Sequence, residues 1–315
     1  MAFVIDQLNA VTKKYFDSDL QVQCYDDSPF WVKLKSKNAV KLDGGVSIQY
    51  PIRYQKLGFA DATDPDAQLV YETKATRTGA SQDWAYYYSK QMMTWDEKVK
   101  NAGKEKIVDL AKEKVQEMKD DQYHRFATDL WTSNPSGNGI TPLSSIVDSA
   151  DTFAGITVAD ASTWASWEDA STTVLSLYGG AGSLAYYHNL ATLGKNHPTM
   201  MLTTRNLYSK FMSLFEGQRI RADNDLADAG FDSCMFLNAA ITSDSYVPSG
   251  DIYALDLDHY EFIIHSGFNF KLTDWFTLEQ QGLPNHAARV MSFAGNLKCD
   301  LRRTSFKMTA LDWAL

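Results

Sequence analysis

The segment that decides the fold runs from residue 200 to residue 255 and reads MMLTTRNLYSKFMSLFEGQRIRADNDLADAGFDSCMFLNAAITSDSYVPSGDIYAL. It begins with an apolar run at 200–203, which has the length of a short buried strand. Apolar side chains then recur at helical spacing, at Leu207, Phe211, Leu214 and Phe215. Thr203 or Thr204 can cap this helix, and Gly217 lies near its end. The segment therefore predicts a strand that leads into a helix.

Strand signals dominate the chain after this helix. A basic exit (Arg219, Arg221) leads to Gly230 and Phe231, and the apolar runs 236–241 and 247–255 follow, with Asp244 between them. We expect two hairpins further on. In the first, Ser266 and Gly267 join 262–264 to 268–270, and in the second, residues 294–296 join 290–293 to 297–301.

The sequence predicts three helices before residue 200. One helical stripe is expected at Trp164, Trp167, Val174, Leu175 and Tyr178, ending at Gly179 and Gly180, and a second helix at 183–193. The strongest signal covers 96–131, where the apolar positions are Ile107, Leu110, Ala111, Val115, Met118, Phe126 and Leu130. Its polar face would include Lys119, and Lys114 could pair with Glu117. The turn-rich residues 133–139 should end this helix.

Residues 45–95 predict two long β arms with a polar tip. Val46, Ile48, Tyr50 and Ile52 alternate with polar residues, and Pro51 favours an edge strand. Alternation resumes near Leu69, Tyr71 and Thr73, and the arm is expected to end in Trp84 and the tyrosines at 86–88. Such a ribbon has little to bury against in its own chain, so we expect a partner on another subunit.

Residues 1–42 have the character of an arm without helical periodicity. Lys33, Lys35, Lys37 and Lys41 could contact a polyanion, but a solvated or intersubunit strand explains them better. The chain of 315 residues is 44% hydrophobic and 13% aromatic, which indicates a globular protein with a sizeable core. Its net charge of −9 argues against a general nucleic-acid binder.

Cysteine usage and hydropathy set the expected compartment. Cys24, Cys234 and Cys299 form no paired framework, so we expect reduced, buried thiols. The amino terminus shows no signal-peptide pattern, and no apolar run is long enough to span a bilayer. We therefore expect a protein made in the cytoplasm of its host, with no membrane partner.

Candidate metal sites fail on spacing. Asp61, Asp64, Asp66 and Glu72 lack the glycine that a calcium loop needs at its sixth position, and Asp223, Asp225 and Asp228 fail in the same way. The six histidines are scattered and form no zinc pattern: His124, His188, His197, His259, His265 and His286. We expect no metal and no cofactor.

Candidate catalytic and ligand-binding motifs are also incomplete. Ser183 follows Gly182 but lacks the strand and glycine spacing of a nucleophile elbow. Glycines at 179, 180 and 182 could cradle a phosphate, but no Walker lysine follows. Trp84 and the tyrosines at 86–88, near Arg77 and Lys90, could stack single-stranded bases, but packing against a protein neighbour explains them better in a chain of acidic net charge. We expect no catalytic residue.

The order of these elements resembles the major capsid proteins of tailed bacteriophages, which have the Hong Kong 97-type (Johnson) fold. The resemblance covers about residues 40–315, and includes 143–147, 153–156, Trp164 and 301–303. It implies an α+β fold with an N-terminal arm (1–42), an extended β loop or E-loop (43–94), a spine helix of a peripheral domain (95–139), an α/β axial domain (140–261) and a return to the peripheral sheet (262–315).

The resemblance also implies a function and partners. The chain would self-assemble into pentamers and hexamers of an icosahedral virion shell, built in the bacterial cytoplasm, that encloses DNA without reading its sequence. A scaffolding protein, a portal and a decoration protein would be partners. Some members form isopeptide bonds; Lys56 and Lys74 lie in the expected loop, and no Asn partner is assigned. Two alternatives remain: an encapsulin-type shell, and a carbohydrate-active enzyme suggested by the many Trp, Tyr and Asp residues.

Overall fold

A computed structural model describes residues 28–37, 39–60, 62, 64, 66, 68, 71–100, 104–132, 137–215, 232–283 and 285–312. For residues 35–37, 98–100 and 104–113 it describes the backbone alone. Several predicted features lie outside this part of the chain: residues 1–27 with Cys24, Asp61, Leu69, residues 133–136, Gly217, Arg219, Arg221, Asp223, Asp225, Asp228, Gly230 and Phe231.

The described helices are short except for one. They are Pro29–Lys37 (α1), Trp95–Lys100 (α2), Lys104–Trp131 (α3), Leu143–Ile146 (α4), Leu184–Ala191 (α5) and Arg205–Leu214 (α6). Helices α2 and α3 confirm the predicted helix at 96–100 and 104–131, and α3 ends before the turn-rich segment. Ser183 caps α5 and Thr204 caps α6, each by accepting a backbone N–H with its hydroxyl. No helix in the described ranges is both long and apolar enough to cross a bilayer.

The first sheet is built around one long strand, β13. Its strands are Ala39–Leu42 (β1), Ala85–Met93 (β4), Tyr260–His265 (β10), Lys271–Leu272 (β11), Phe276–Thr277 (β12) and Ala287–Cys299 (β13). Strand β4 runs antiparallel along one edge of β13, while β10, β11 and β12 follow one another along the other edge. Strand β1 is parallel to β10 on its outer side.

Both predicted hairpins are wrong, because their arms pair elsewhere. The segment after Ser266 and Gly267 does not fold back on β10; it continues along β13 as β11. Residues 294–296 lie inside β13. Gly295 is required there by close packing, since a Cβ would lie 2.6 Å from the Ile263 carbonyl oxygen and 2.8 Å from the Phe293 ring.

The second sheet contains the described strands of the segment 200–255. Its strands, in spatial order, are Trp167–Asp169 (β5), Phe306–Met308 (β14), Ile252–Leu255 (β9), Met200–Thr203 (β6), Ala239–Ser243 (β8) and Ser233–Phe236 (β7). Strand β6 and helix α6 confirm the predicted strand–helix unit. Strand β14 pairs with β5 and β9, so the assignment of all of 262–315 to the first sheet is wrong for its last strand.

Two segments depart from their predicted secondary structure. The stripe from Trp164 to Tyr178 is not a helix: the Asp169 carboxylate accepts the N–H and hydroxyl groups of Ser171 and Thr172, which holds a turn in place of a helix. In the arm, 29–37 is a helix, not a strand. Proline is favoured in the first helical turn, and Trp31 and Leu34 are buried.

Helix α3 covers one face of the first sheet. Phe126 contacts Tyr87 of β4 and Phe293 of β13 edge to face, with ring centroids 4.5 and 4.9 Å apart. Lys119 is buried, so its predicted place on the polar face is wrong. Lys114 pairs with Glu97 at 3.1 Å instead of with Glu117. The later turns of α3 therefore pack against the first sheet.

Candidate assembly surfaces

Two paired strands form a ribbon with one face open to solvent. Strands Ile48–Arg53 (β2) and Arg77–Gln82 (β3) pair antiparallel, with Ile48 opposite Gln82 and Arg53 opposite Arg77. Burial alternates along both strands, so the ribbon has one buried and one exposed face. Val46, which was expected to extend the buried face, is 99% exposed.

The inner face of the ribbon is anchored on its own chain. The Tyr50 hydroxyl donates to the Cys299 carbonyl at 3.2 Å, and the Gln82 amide donates to the Leu297 carbonyl at 3.2 Å. Burial raises the pKa of Tyr50 far above its ordinary value, so this hydroxyl stays a donor. The Thr163 hydroxyl donates to the Tyr54 carbonyl. The expectation that the ribbon lacks a partner in its own chain is therefore wrong for this face.

The outer face of the ribbon is open and concave. It carries Gln49, Pro51 and Arg53 of β2, and Arg77, Gly79 and Ser81 of β3. Together with Tyr50, Thr78 and Ala80, most of these residues line a depression of about 590 Å³. Nothing in the described chain fills this depression, so the face is accessible to another molecule.

The tip of the ribbon, residues 54–76, projects beyond the paired strands. The N–H of Tyr54 donates to the Thr76 carbonyl at 3.1 Å and closes its base. Apolar side chains are exposed on it: Leu57, Phe59 and Tyr71, the last at 90%. The predicted return strand near Tyr71 and Thr73 is wrong, since β3 begins at Arg77. Lys56 and Lys74 are both exposed here.

The aromatic cluster of Trp84 and the tyrosines at 86–88 does not act as a unit. Trp84 is buried and donates its indole N–H to the Gly45 carbonyl at 2.9 Å. Tyr87 faces α3, where its hydroxyl donates to Asp129 at 2.9 Å. Tyr86 and Tyr88 point the other way and are 53% and 69% exposed. The expected projecting ribbon therefore stops at Gln82, and residues 85–93 belong to the first sheet.

The outer face of the first sheet is a second exposed surface. Tyr86, Tyr88, Lys90 and Met92 alternate with the side chains that contact α3. Phe276 of β12 lies across β13 from Met92, because both pair with Ala288. This surface mixes aromatic and apolar groups, a composition that is typical of protein interfaces.

A buried arginine just before β14 connects that strand's start to α4 and to the turn after α4. Arg302 has no exposed surface, and its guanidinium donates to the carbonyls of Ser145, Ile146, Asp148 and Asp151 at 2.6–3.2 Å. Its plane also lies 5.2 Å from the Phe153 ring. Residues 143–147 and 301–303 are far apart in the sequence, and no local pattern indicates that one side chain connects them.

An ion-pair group lies beside this arginine. Lys307 Nζ is 2.7 Å from Asp148 and 3.1 Å from Glu168. Burial opposes ionisation of Asp148, but hydrogen bonds from Lys307 and from the N–H groups of Ala150 and Asp151 hold its pKa below the usual value. The group fixes β14 to the turn after α4, which is a structural role.

Those histidines and acidic residues considered for metal binding that the structure describes do not form one group. His188 and His197 have ring centroids 6.0 Å apart, and His259 Nδ1 donates to the Asp300 carboxylate at 2.8 Å. That hydrogen bond raises the pKa of His259. Within the described ranges, no three His, Cys, Asp or Glu side chains form a group that could hold a metal ion. Asp64, Asp66 and Glu72 are simply exposed on the tip.

The serine and glycine motif is part of a helix start. The Ser183 hydroxyl caps α5 by accepting the Tyr186 N–H, and it donates to the Gly180 carbonyl at 2.8 Å. Gly182 has a φ of 88°, and a Cβ there would lie 2.7 Å from the Thr172 hydroxyl. The glycines therefore serve a tight turn. Cys234 and Cys299 are buried and unpaired, and burial raises the pKa of Cys299 to about 12.

The arrangement of the two sheets, the long helix and the ribbon matches known structures over nearly their whole length. The capsid asymmetric unit of cyanophage A-1(L) is similar with a TM-score of 0.68 at 18% identity, over 94% of this chain and 95% of that one. The capsid of an empty GTA particle gives 0.57 at 9% identity, over 90% and 96%.

A third neighbour extends the likeness to an assembly precursor. The satellite phage P4 procapsid, which includes a size determination (Sid) protein, gives a TM-score of 0.52 at 10% identity, over 99% of this chain and 97% of that one. Neither a family model nor a curated protein sequence matches the chain. The chain thus has an α+β capsid-protein fold, as the resemblance implied at that level.

Proposed function

We propose that this chain is the major capsid protein of a tailed-phage head, a structural subunit without catalytic activity. The observation that carries the proposal is the likeness to capsid subunits over at least nine-tenths of both chains. A likeness of that extent leaves little additional chain in which a separate activity could reside. The proposed site of function is accordingly the outer surface of the subunit.

The described surfaces support self-assembly. The ribbon tip exposes Leu57, Phe59 and Tyr71, and the first sheet exposes Tyr86 and Tyr88. Large aromatic side chains on projecting elements cost solvation free energy in a monomer and gain it in an interface. Burying them between neighbouring subunits would drive formation of pentamers and hexamers that close an icosahedral shell.

In this proposal, the parts of the fold have separate roles. The ribbon and its tip act as the extended loop, helix α3 is the spine of a peripheral domain, and the second sheet is the core of an axial domain. Residues 85–93 pair in the first sheet, so in this proposal they belong to the peripheral domain and not to the extended loop. Residues 306–308 pair in the second sheet, so they belong to the axial domain and not to the peripheral one. A scaffolding protein, a portal and a decoration protein are proposed partners.

The experiment is to purify the chain and measure assembly across concentration and salt. Light scattering and electron microscopy of the purified chain should show capsomers or closed shells. In the virion, the same shells should enclose DNA. A chain that stays monomeric at high concentration, with candidate scaffold present, would contradict the proposal. Particles that enclose a cargo enzyme instead of DNA would favour an encapsulin-type shell.

A further inference from the structure

Two short connections lead from one sheet to the other, and they lie side by side. The first is residues 256–259, between β9 and β10, and the second is residues 300–305, between β13 and β14. The Asp300 N–H donates to the His259 carbonyl at 3.2 Å and joins the two main chains. Because both connections pass through this point, the side chains around it affect how firmly the two sheets are coupled.

Three ionisable side chains meet where the connections touch. His259 Nδ1 donates to the Asp300 carboxylate at 2.8 Å, and His259 Nε2 lies 3.9 Å from Oδ2 of Asp256. Asp256 is only 2% exposed, and its Oδ2 accepts no hydrogen bond. Within the described part of the chain, His259 is the one basic side chain at ion-pair distance from Asp256. The imidazole ring therefore spans the two connections, with a carboxylate on each side.

The protonation state of His259 decides whether this arrangement is favourable. A protonated ring presents an N–H to each carboxylate, whereas a neutral ring that keeps its Nδ1–H on Asp300 turns a lone pair toward the buried Asp256. A buried carboxylate that loses its cation is strongly destabilising. The hydrogen bond to Asp300 raises the pKa of His259 above its ordinary 6.5 against the effect of burial, and the charges of Asp300, Asp256 and Asp258 add to this rise.

The other titratable groups on the surrounding elements do not replace the charge of His259. Burial raises the pKa values of Tyr260 and Cys299, so neither carries a charge near neutral pH. The Arg302 guanidinium is directed at the carbonyls in and after α4. Helix α1 packs against the first connection and brings the buried Lys33 to this region, but the ion pairs of the two carboxylates are with His259.

We propose that protonated His259 is a pH-dependent clasp that fastens together the two connections between the sheets. A base whose pKa is raised by folding stabilises the fold fully below its unfolded pKa, about 6.5, and this contribution is lost as the pH rises through the folded pKa. The connections should therefore be held firmly in mildly acidic solution and loosened in alkaline solution. The inference goes beyond the proposed function, because it concerns the unassembled subunit and needs no neighbour.

The loosening is tested by amide hydrogen exchange of the unassembled subunit at pH 6 and pH 9, corrected for the intrinsic effect of pH on exchange. In the wild type, protection of residues 256–260 and 299–305 should fall about fivefold at pH 9. His259→Gln keeps a donor for Asp300 but carries no charge, so protection should be equally low at both values. His124→Gln, at an exposed histidine of α3, is the control and should keep the wild-type change. A wild-type pH dependence in His259→Gln would overturn the proposal.

The charge is tested by titrating the His259 ring with NMR in the folded subunit. Its pKa should lie above 6.5 in the wild type and fall in Asp256→Asn and in Asp300→Asn, because each variant removes one carboxylate beside the ring. Asp300 is partly exposed, so Asp300→Asn provides the comparison if Asp256→Asn does not fold. A wild-type ring that titrates at or below 6.5, or a pKa unchanged by Asp300→Asn, would exclude the clasp.

Discussion

Arg302 shows how much of this fold depends on single buried side chains. Its guanidinium satisfies four carbonyls at the end of α4 and in the following turn, and it has no contact with solvent. Lysine has one ammonium in place of the planar fork and cannot reach all four oxygens. The buried carbonyls left without donors would each cost free energy.

We expect Arg302→Lys to lower the free energy of unfolding by about 3 kcal/mol, measured by chemical denaturation of the unassembled subunit. Arg303→Lys is the matched control, since Arg303 is only partly buried and stacks over the Trp167 ring. The control should change stability by less than about 1 kcal/mol. Equal effects at the two positions would contradict the role assigned to Arg302.

Leu237, unlike Arg302, destabilises the fold, because its side chain is unfavourable in the local backbone conformation. Leu237 and Asn238 join β7 to β8 with φ of 48° and 67°. Bulky side chains are disfavoured in this left-handed region, while asparagine tolerates it. Leu237→Asn should therefore stabilise the unassembled subunit by about 0.5 kcal/mol.

The control for this prediction is Leu193→Asn. Leu193 has the same 38% exposure, but its φ is not positive. It loses the same amount of apolar surface without relieving strain, so its thermal midpoint should not rise. If both variants change the midpoint equally, strain at Leu237 is not the cause.

At the scale of elements, sequence patterns succeed where the periodicity is long and the caps are strong. Helix α3 and the pair β6–α6 were predicted because apolar spacing and Thr204 act locally. The failures depend on distant partners. Gly295 has the signature of a turn, yet Ile263 and Phe293 require it inside a strand. The assembly surfaces were predicted only in part, since local alternation cannot show that Tyr50 and Gln82 reach β13.

The ribbon tip should be separable from the fold of the subunit. Replacing residues 55–75 with a short Gly-Ser turn keeps the closing hydrogen bond between Tyr54 and Thr76 and shortens the loop, which lowers its closure entropy. We expect the free energy of unfolding to change by less than about 1 kcal/mol. Stable shells should fail to form, as measured by light scattering.

A second variant separates the length of the tip from its chemistry. The triple substitution Leu57→Ser, Phe59→Ser and Tyr71→Ser removes the exposed apolar groups and keeps the full length of the tip. It should weaken assembly if these side chains are buried between subunits. Proteases should cut residues 56–74 quickly in free subunits and slowly in shells. Closed particles of normal stability from the shortened chain would show that the tip is not an intersubunit clamp.

At the scale of the whole molecule, stability should depend on pH through a half-buried carboxyl. Burial raises the pKa of Asp251 from 3.8 to about 6, although the Ala310 N–H and Lys307 act in the other direction. A carboxyl with a higher pKa in the folded chain destabilises the fold once it ionises. Its cost starts above the unfolded pKa and is complete above the folded pKa. The subunit should therefore lose stability between about pH 4 and pH 6.

Asp251→Asn removes this charge and keeps an oxygen to accept from Ala310. We expect it to raise the free energy of unfolding by about 1 kcal/mol at pH 8, allowing for solvent screening of a half-buried group, and to have no effect at pH 4. Denaturation at both values measures the difference. Asp64→Asn, at an exposed position, is the control and should show no such dependence.

The position of β13 and β14 has a consequence for the order in which the protein can be made. β13 is the only described strand that holds β4 in its sheet, and β14 lies between β5 and β9. A ribosome releases β4 and β5 long before residues 287–308 emerge. Neither sheet can close during that time, so the nascent chain displays unpaired strand edges and unburied aromatic rings. Folding must wait for the final strands, and a chaperone that shields the chain until then would decide the yield of competent subunits.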